Sequence, residues 1–358
     1  MTKTTITYLI DKLDWGGAQT GMIRLIDGID HSKYDVTVVP FTIQSDVMER
    51  HLPADVSVHE LGITSHFQAP RLKQLWSILE EADVLVCSLW HSVVIGSLLG
   101  RILDVPLILS WKHNTDEQHF VETNLLRVGY RNSDHILVDS EAVATVMRER
   151  YSIDPGIVSV LPLAGVDIDQ FTPDPSTPKF RTGDVITVGT VGRFVPQKGY
   201  IDLFECADRL GPSFEFHVVG GNRKTAVRTF NVAPPENVVF HDFVVDITNL
   251  YNSVDIYFQP SRYEGLCITV IEAMACGLPV VASAVGGIRE STVHGTTGYL
   301  ASPGAIDEFT RYLTDLSKSS IKRRRFGKNG RDRVEARYSK RALVEKFSNV
   351  IESEIQTH

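Results

Sequence analysis

Cysteine is scarce: the 358 residues include only Cys87, Cys206, Cys267 and Cys276, none of them in a Cys-x-x-Cys or zinc-finger spacing. That excludes a disulfide scaffold and a zinc module, and a reducing cytosol is the simplest home. Long apolar runs are missing too. The apolar start of the chain is broken by Asp11 too early for a secretory leader, and no later run could cross a bilayer, so a soluble or peripheral protein is expected, cytoplasmic or at the cytoplasmic face of a membrane. Positive charge is in deficit, with 36 Lys and Arg against 44 Asp and Glu and a net charge of -8. A nucleic-acid domain usually displays a basic stripe, so a general polyanion binder is excluded. What remains is an ordinary globular composition, 43% hydrophobic and 22% charged, in a chain about twice the length that one core fills.

The chain opens on a β-branched run at 5–10, a turn at Gly16-Gly17 and a helical stretch at 18–29, which is a βα unit. Further strands are expected at 36–39, 56–61, 84–87, 105–109, 135–138 and 158–161. Around Pro173, Pro175 and Pro178 the pattern breaks into a linker. A second series has strands at 186–191, 215–219, 238–240, 255–258 and 280–282. The alternation predicts an α/β protein of two Rossmann-like, doubly wound domains facing each other, with ligands at the carboxyl ends of the strands. The domains are set at 1–164 and 185–340, with 165–184 between them. A last helix, 341–358, carries Leu343, Phe347, Val350 and Ile351 at helical spacing and is expected to fold back onto the first domain. The cluster Lys322, Arg323, Arg324 and Arg325 is expected to be a solvated helix face.

Chemistry concentrates in the stretch from Ser261 to Pro279. Gly277 and Pro279 stop a helix expected over 266–276, with Glu264 just before it and Glu272 two turns inside. Eight residues at helical rise span about 12 Å, roughly the reach from a sugar hydroxyl across a diphosphate to a ribose. Free amides of Ile268 and Thr269 at the helix start suit phosphate, and the carboxylates suit hydroxyls. A second motif runs from Gly192 to Gly199, where Arg193 and Lys198 follow a strand and are placed to meet an anion. In the first domain Gly16 and Gly17 sit at a strand-to-helix turn, where glycine lets backbone amides approach a ligand. His113 follows a strand and precedes Thr115-Asp116-Glu117-Gln118, a capping-box pattern. His91 has a similar context. Asp167 and Asp169 form an Asp-x-Asp pair, but they are read as turn residues and no metal is assigned.

The run from Ser261 to Gly298, with Glu264-Gly265, Glu272 to Ala282, Gly286-Gly287 and Gly295 to Gly298, closely resembles glycosyltransferase family 4, the group 1 glycosyl transferases of GT-B fold. The resemblance extends over nearly the whole chain and is strongest from Val188 to Leu300. It implies that Glu264 lies by the donor sugar among Gly265, Leu266, Cys267, Ile268 and Thr269, and that Glu272 binds the ribose hydroxyls. Arg193 and Lys198 would hold the diphosphate in place of a metal. Gly16 and Gly17 would match the family's N-terminal glycine loop, and loops near Gly220 and Phe243 would enclose the base. The family's active-site histidine falls at His113, preferred here to His91. The departures are Cys267 and Asp242 where glycine is usual, and Ala164 at a hinge position often held by asparagine.

The implied activity is retaining, metal-independent transfer of a hexosyl unit from a UDP- or GDP-sugar to a hydroxyl of a glycan, glycolipid or lipid-linked acceptor, with no cofactor. Acceptor binding would fall to the first domain, and domain closure would exclude water. The leaving diphosphate would help to deprotonate the acceptor. Lys322 to Arg325 and Arg71 to Trp76 are candidates for contact with anionic lipid, and no nucleic-acid partner is expected. A silent nucleotide-sugar binder or partner subunit, and a GT-B epimerase, are the alternatives.

Overall fold

Residues along β1 (Thr4–Leu13) alternate between two cores: Ile6, Tyr8 and Ile10 face one side, and Leu9 faces the other with Leu85 and Cys87. Such alternation with burial on both faces is what a sheet covered by helices on each side requires. The computed structural model describes residues 3–44, 49–63, 69–115, 119–174, 185–242 and 246–357. It divides into two units, Met1–Gly165 with Lys340–His358, and Val166–Ser339.

In the first unit β1 is followed by β2 (Tyr34–Ile43), β3 (Ser57–Val58), β4 (Val84–Ser88), β5 (Leu107–Lys112), β6 (His135–Val138) and β7 (Val158–Val160). The order is β3-β2-β1-β4-β5-β6-β7, and every pairing is parallel. The winding reverses between β1 and β4, which opens a crevice at their carboxyl ends. The closing helix, Lys340–Thr357, belongs to this unit: Leu343, Phe347 and Ile351 are buried with Ile6 and Tyr8, and Lys340 Nζ pairs with Asp27 at 2.9 Å.

The second unit repeats the plan with β8 (Ile186–Val191), β9 (Phe214–Val219), β10 (Val238–His241), β11 (Ile256–Gln259), β12 (Val280–Ser283) and β13 (Gly298–Ala301). These lie in the order β10-β9-β8-β11-β12-β13, again parallel, with the reversal between β8 and β11. The strand β13 is not among those expected from the sequence.

Two expectations change. The stretch 166–174 is not a free linker: Val166 N donates to Tyr338 O, Phe171 is buried, and Arg331 donates to the carbonyls of Ile168 and Phe171. The remaining linker residues, 175–184, lie outside the described residues. The cluster from Lys322 to Arg325 is not a uniform solvated face either. Arg323 is 1% exposed and donates to the carbonyls of Leu316 and Ser317, while Lys322 pairs with Asp315 at 2.7 Å.

Candidate active site

The reversal between β8 and β11 decides which loops meet in the second unit. The loop after β8 makes a single tight turn, Pro196–Lys198, and ends at Gly199 with φ +69°. A Cβ on Gly199 would stand 1.9 Å from the carbonyl oxygen of Pro260, in the loop after β11, so the two loops touch through a position only glycine can fill. The contact is stitched by Arg262 N to Gln197 O at 2.7 Å and by Arg262 to Asp202 at 2.5 Å.

Across this seam Lys198 Nζ donates to Glu264 Oε1 at 2.7 Å. Ser261 Oγ donates to the same oxygen at 2.7 Å and is itself held by Gln259 Nε2 at 2.8 Å. Glu264 is only 6% exposed, so its carboxylate lives on these partners rather than on water. Burial pulls the Lys198 ammonium down, but the Glu264 carboxylate and Cys267 outweigh it and leave the lysine above its ordinary value. An ammonium has three N–H donors, so pairing with one carboxylate oxygen leaves Lys198 capacity for an anion.

The helix behind Glu264 runs over Ile268–Ala275, two residues later than expected, which puts Glu272 just over one turn into it rather than two. The cause is Cys267, which takes the N-cap position with φ +65° and cannot be helical there. Its side chain does not cap the helix, and the amides of Ile268 and Thr269 have no acceptor among the described residues. These are the free N–H groups that a helix start offers to an anion. Cys267 Sγ lies 3.6 Å from Thr269 Oγ1, and burial, with Glu264 close by, pushes the thiol up to about 12. Glu272 is 4% exposed and accepts from the Tyr251 hydroxyl at 3.1 Å. Tyr251 is held far above its ordinary value by burial and then by Glu272, so it stays a donor. Gly286 carries φ +44°, and a Cβ there would lie 1.8 Å from the carbonyl oxygen of Glu264. Gly287 N donates to Gly265 O at 2.6 Å, and Leu266 is buried at this seam.

Arg193 is exposed, and its guanidinium has no hydrogen bond or ion pair among the described residues, although its charge is felt at Lys198. Gly220 has φ +141°, and its Cβ position lies 2.0 Å from Gly192 O, so this glycine is required by the approach of the loop after β9 to the Arg193 loop. Phe243 lies outside the described residues.

In the first unit Gly16 caps the helix Gly17–Gly28 in extended conformation. His113, at the end of β5, has both ring nitrogens engaged: Nε2 with Ser88 Oγ at 2.7 Å and Nδ1 with Asp139 Oδ2 at 3.1 Å. The order Ser88, His113, Asp139 is that of a hydrolytic triad, but Ser88 is fully buried, so the array holds the imidazole still rather than presenting a nucleophile. The expected capping box does not start the next helix. That helix, Phe120–Arg131, takes His119 as its N-cap, while residues 116–118 lie outside the described set. Asp167 Oδ1 accepts from the amides of Asp169 and Gln170, which is the geometry of a turn.

Two family models match the chain: Glycosyltransferase Family 4 over residues 15–170 and Glycosyl transferases group 1 over residues 176–333. Together they span both units. The chain belongs to glycosyltransferase family 4. Among curated relatives, a GDP-mannose-dependent monoacylated alpha-(1-6)-phosphatidylinositol monomannoside mannosyltransferase of Corynebacterium glutamicum is 31% identical over 211 residues. That match covers 53% of this chain and 55% of the relative, so the chain spans about half of that protein's length. An alpha-maltose-1-phosphate synthase of Mycobacterium tuberculosis is 26% identical over 313 residues, 75% of this chain and 78% of the relative. The structure of Anabaena HepE in complex with UDP-glucose superposes with a TM-score of 0.84 at 21% identity, over 98% of this chain and 99% of that one. The fold is therefore that of the two-domain GT-B proteins.

For this family 4 chain the structure brings Lys198, Glu264 and Cys267 together around the start of the Ile268–Ala275 helix, with Glu272 inside it. Gly16, Gly17 and His113 belong to the first unit. Sequence reasoning missed the residues that hold these groups: Ser261 and Gln197 on Glu264, Tyr251 on Glu272, and Asp139 on His113. Only Ser261, three residues before Glu264, had a local signal.

Proposed function

We propose that this family 4 protein transfers a hexosyl unit from a nucleoside diphosphate sugar, such as a UDP- or GDP-hexose, to a hydroxyl of a glycan, glycolipid or lipid-linked acceptor. The transfer retains the anomeric configuration and uses neither metal nor cofactor. One observation carries the proposal: at the winding reversal of the second sheet, a buried lysine–glutamate pair stands beside a helix start whose amides are unclaimed. When the bond from sugar to diphosphate breaks, negative charge grows on the leaving phosphate. Lys198, Arg193 and the amides of Ile268 and Thr269 are the donors suited to receive it. They supply the positive charge that a metal would otherwise bring. Glu264 orients the sugar through its hydroxyls, and Glu272, fixed by Tyr251, takes the ribose diol. Orienting groups of this kind convert binding into rate by fixing the attack geometry.

A cytoplasmic setting, at the inner face of a membrane when the acceptor is a lipid, is part of the proposal. The four cysteines are free and buried, and no helix among the described residues is long and apolar enough to cross a membrane. Arg71, Lys73 and Trp76 are exposed on the helix Ala69–Leu79 and suit an anionic surface.

The experiment is a panel of UDP- and GDP-sugars scored for thermal stabilisation and nucleotide release, after exhaustive chelation and again with manganese. One donor should stabilise the protein and turn over equally in both. A strict need for manganese would return Asp167 and Asp169 to consideration, stabilisation without turnover across an acceptor panel would mean a silent binder, and no response to any donor would refute the proposal.

A further inference from the structure

Two neighbouring helices of the first unit carry apolar residues on the side away from the sheet as well as on the side towards it. With Ala69–Leu79, the helices Trp90–Ile102 and Phe120–Arg131 cover one face of the first sheet, where Leu75, Leu79, Val93, Leu126 and Tyr130 are buried in a common core. The last two helices lie against each other: a Cβ on Gly129 would stand 2.9 Å from Val93 O, and Arg101 donates to Asn132 O at 3.0 Å and to Asp134 at 2.6 Å. A surface helix normally turns polar residues outward from such a core. Here Val121, Leu125 and Val128 recur at i, i+4 and i+7 along the outer side of Phe120–Arg131, and Leu98 and Ile102 at i and i+4 on its neighbour. All five are exposed, Ile102 by 63% and Val121 by 66%, and Phe120 at the head of the stripe by 83%. Single apolar side chains on a surface need no explanation, but a row of them on adjacent helices marks an interaction face.

Charge separates this face from the rest of the protein. The whole chain has 36 Lys and Arg against 44 Asp and Glu, whereas the three helices hold Arg71, Lys73, Arg101, Arg127 and Arg131 against Glu122 alone. Arg101 is paired with Asp134, and Arg127 donates to the carbonyls of Arg150 and Tyr151. Arg71, Lys73 and Arg131 are exposed and have no hydrogen bond or ion pair among the described residues. His91, at the head of the middle helix, is held by Asp11, Nδ1 to Oδ2 at 2.8 Å. The acids Glu80, Glu81 and Asp104 lie in the turns after the first two helices, at one end of the face, and Glu80 accepts the Trp76 indole N–H. A second copy of the chain would set the same cations against themselves, which disfavours a symmetric dimer. Exposed aliphatic groups interspersed with unpartnered cations, spread over three helices rather than sunk in a groove, match an anionic lipid surface.

We propose that the outer face of these helices docks on an anionic bilayer. Ile102, Val121, Leu125 and Val128 enter the boundary between headgroups and acyl chains, and Arg71, Lys73 and Arg131 meet lipid phosphates. The inference rests on the membrane setting proposed above and takes nothing from the transfer chemistry. The apolar stripe supplies the grip, and the cations supply the selectivity for negative lipid, which salt weakens.

The test is sedimentation of the full chain with vesicles of phosphatidylcholine alone and of phosphatidylcholine mixed with phosphatidylglycerol. Wild type should bind the mixed vesicles and lose that binding as salt rises. Ile102→Ser with Val121→Ser should weaken it about tenfold or more, because each change gives up aliphatic groups that the bilayer would bury. Lys73→Gln with Arg131→Gln should weaken it about thirtyfold, at about fivefold for each cation, and leave binding to phosphatidylcholine unaltered. Both double variants should melt with wild type and respond to UDP- and GDP-sugars as it does in vesicle-free buffer, since the four residues are exposed and belong to the first unit. Binding to mixed vesicles at wild-type strength in either double variant would overturn the face and leave the membrane setting standing. No binding by wild type would overturn both, while the donor panel would still decide the transfer proposal by itself. Self-association of wild type that Ile102→Ser with Val121→Ser abolishes would give the face to a second copy and overturn the lipid reading.

Discussion

Replacing Lys198 by methionine keeps the stem that passes Gly192 and removes only the charge, so it isolates the ion pair. Glu264 then keeps the Ser261 hydroxyl but loses its cation, in a place where its side chain is 7% exposed. A buried charge stripped of its partner costs about 3–5 kcal/mol, and because the lysine side is 15% open to water, the low end, about 3 kcal/mol, is expected. Glu264→Gln in the same chain removes the stranded charge, so the double variant should regain about 2 kcal/mol. The coupling in this cycle is the measured quantity. All four tryptophans, Trp15, Trp76, Trp90 and Trp111, lie in the first unit. Urea unfolding followed by tryptophan fluorescence should therefore stay at wild type while far-UV circular dichroism shows an earlier transition. The deficit also has a pH signature. The folded lysine lies above its unfolded value, so its stabilisation is fully present below the ordinary lysine value and is lost as pH rises through the folded one. The deficit should be constant from pH 6 to 9 and shrink only in strongly alkaline solution. A Lys198→Met variant within about 0.5 kcal/mol of wild type, or a double variant no more stable than the single, would refute the pair as a supporting element of the site.

Arg193→Ala should leave stability within about 0.5 kcal/mol, because the guanidinium has no partner among the described residues. It should nonetheless cut nucleotide release about a hundredfold, read by comparing melting with turnover. Gly199→Ala forces a Cβ to 1.9 Å from a backbone carbonyl at φ +69°, so the second unit should lose at least about 2 kcal/mol in the same urea assay. Cys267 is 7% exposed with its thiol pushed up to about 12. Iodoacetamide at neutral pH should leave it unmodified in the native protein and alkylate it in urea, as mass spectrometry will show.

The alternation of β-branched runs with helical stretches settled the two doubly wound units, because the central strands β4, β5, β11 and β12 are buried along their whole length, as a sheet covered on both faces requires. Arg193, Lys198, Glu264 and Glu272 stood out in the sequence as candidates, since a strand end and a helix stop flank them within a few positions. The helix start did not: Cys267 adopts a left-handed conformation, and no residue type announces it. The partners were out of reach for a different reason. Lys198 and Glu264 are 66 positions apart, and Asp11 and His91 are 80 apart. What joins each pair is the order of strands in a sheet, with β8 beside β11 and β1 beside β4. That order comes from burying both sheet faces at once, a property of the whole unit. The sequence by itself therefore determined which groups are candidates for the proposed transfer. Tertiary structure alone decided that Glu264 neutralises Lys198, that both nitrogens of His113 are engaged by Ser88 and Asp139, and that Asp11 holds His91 through Nδ1.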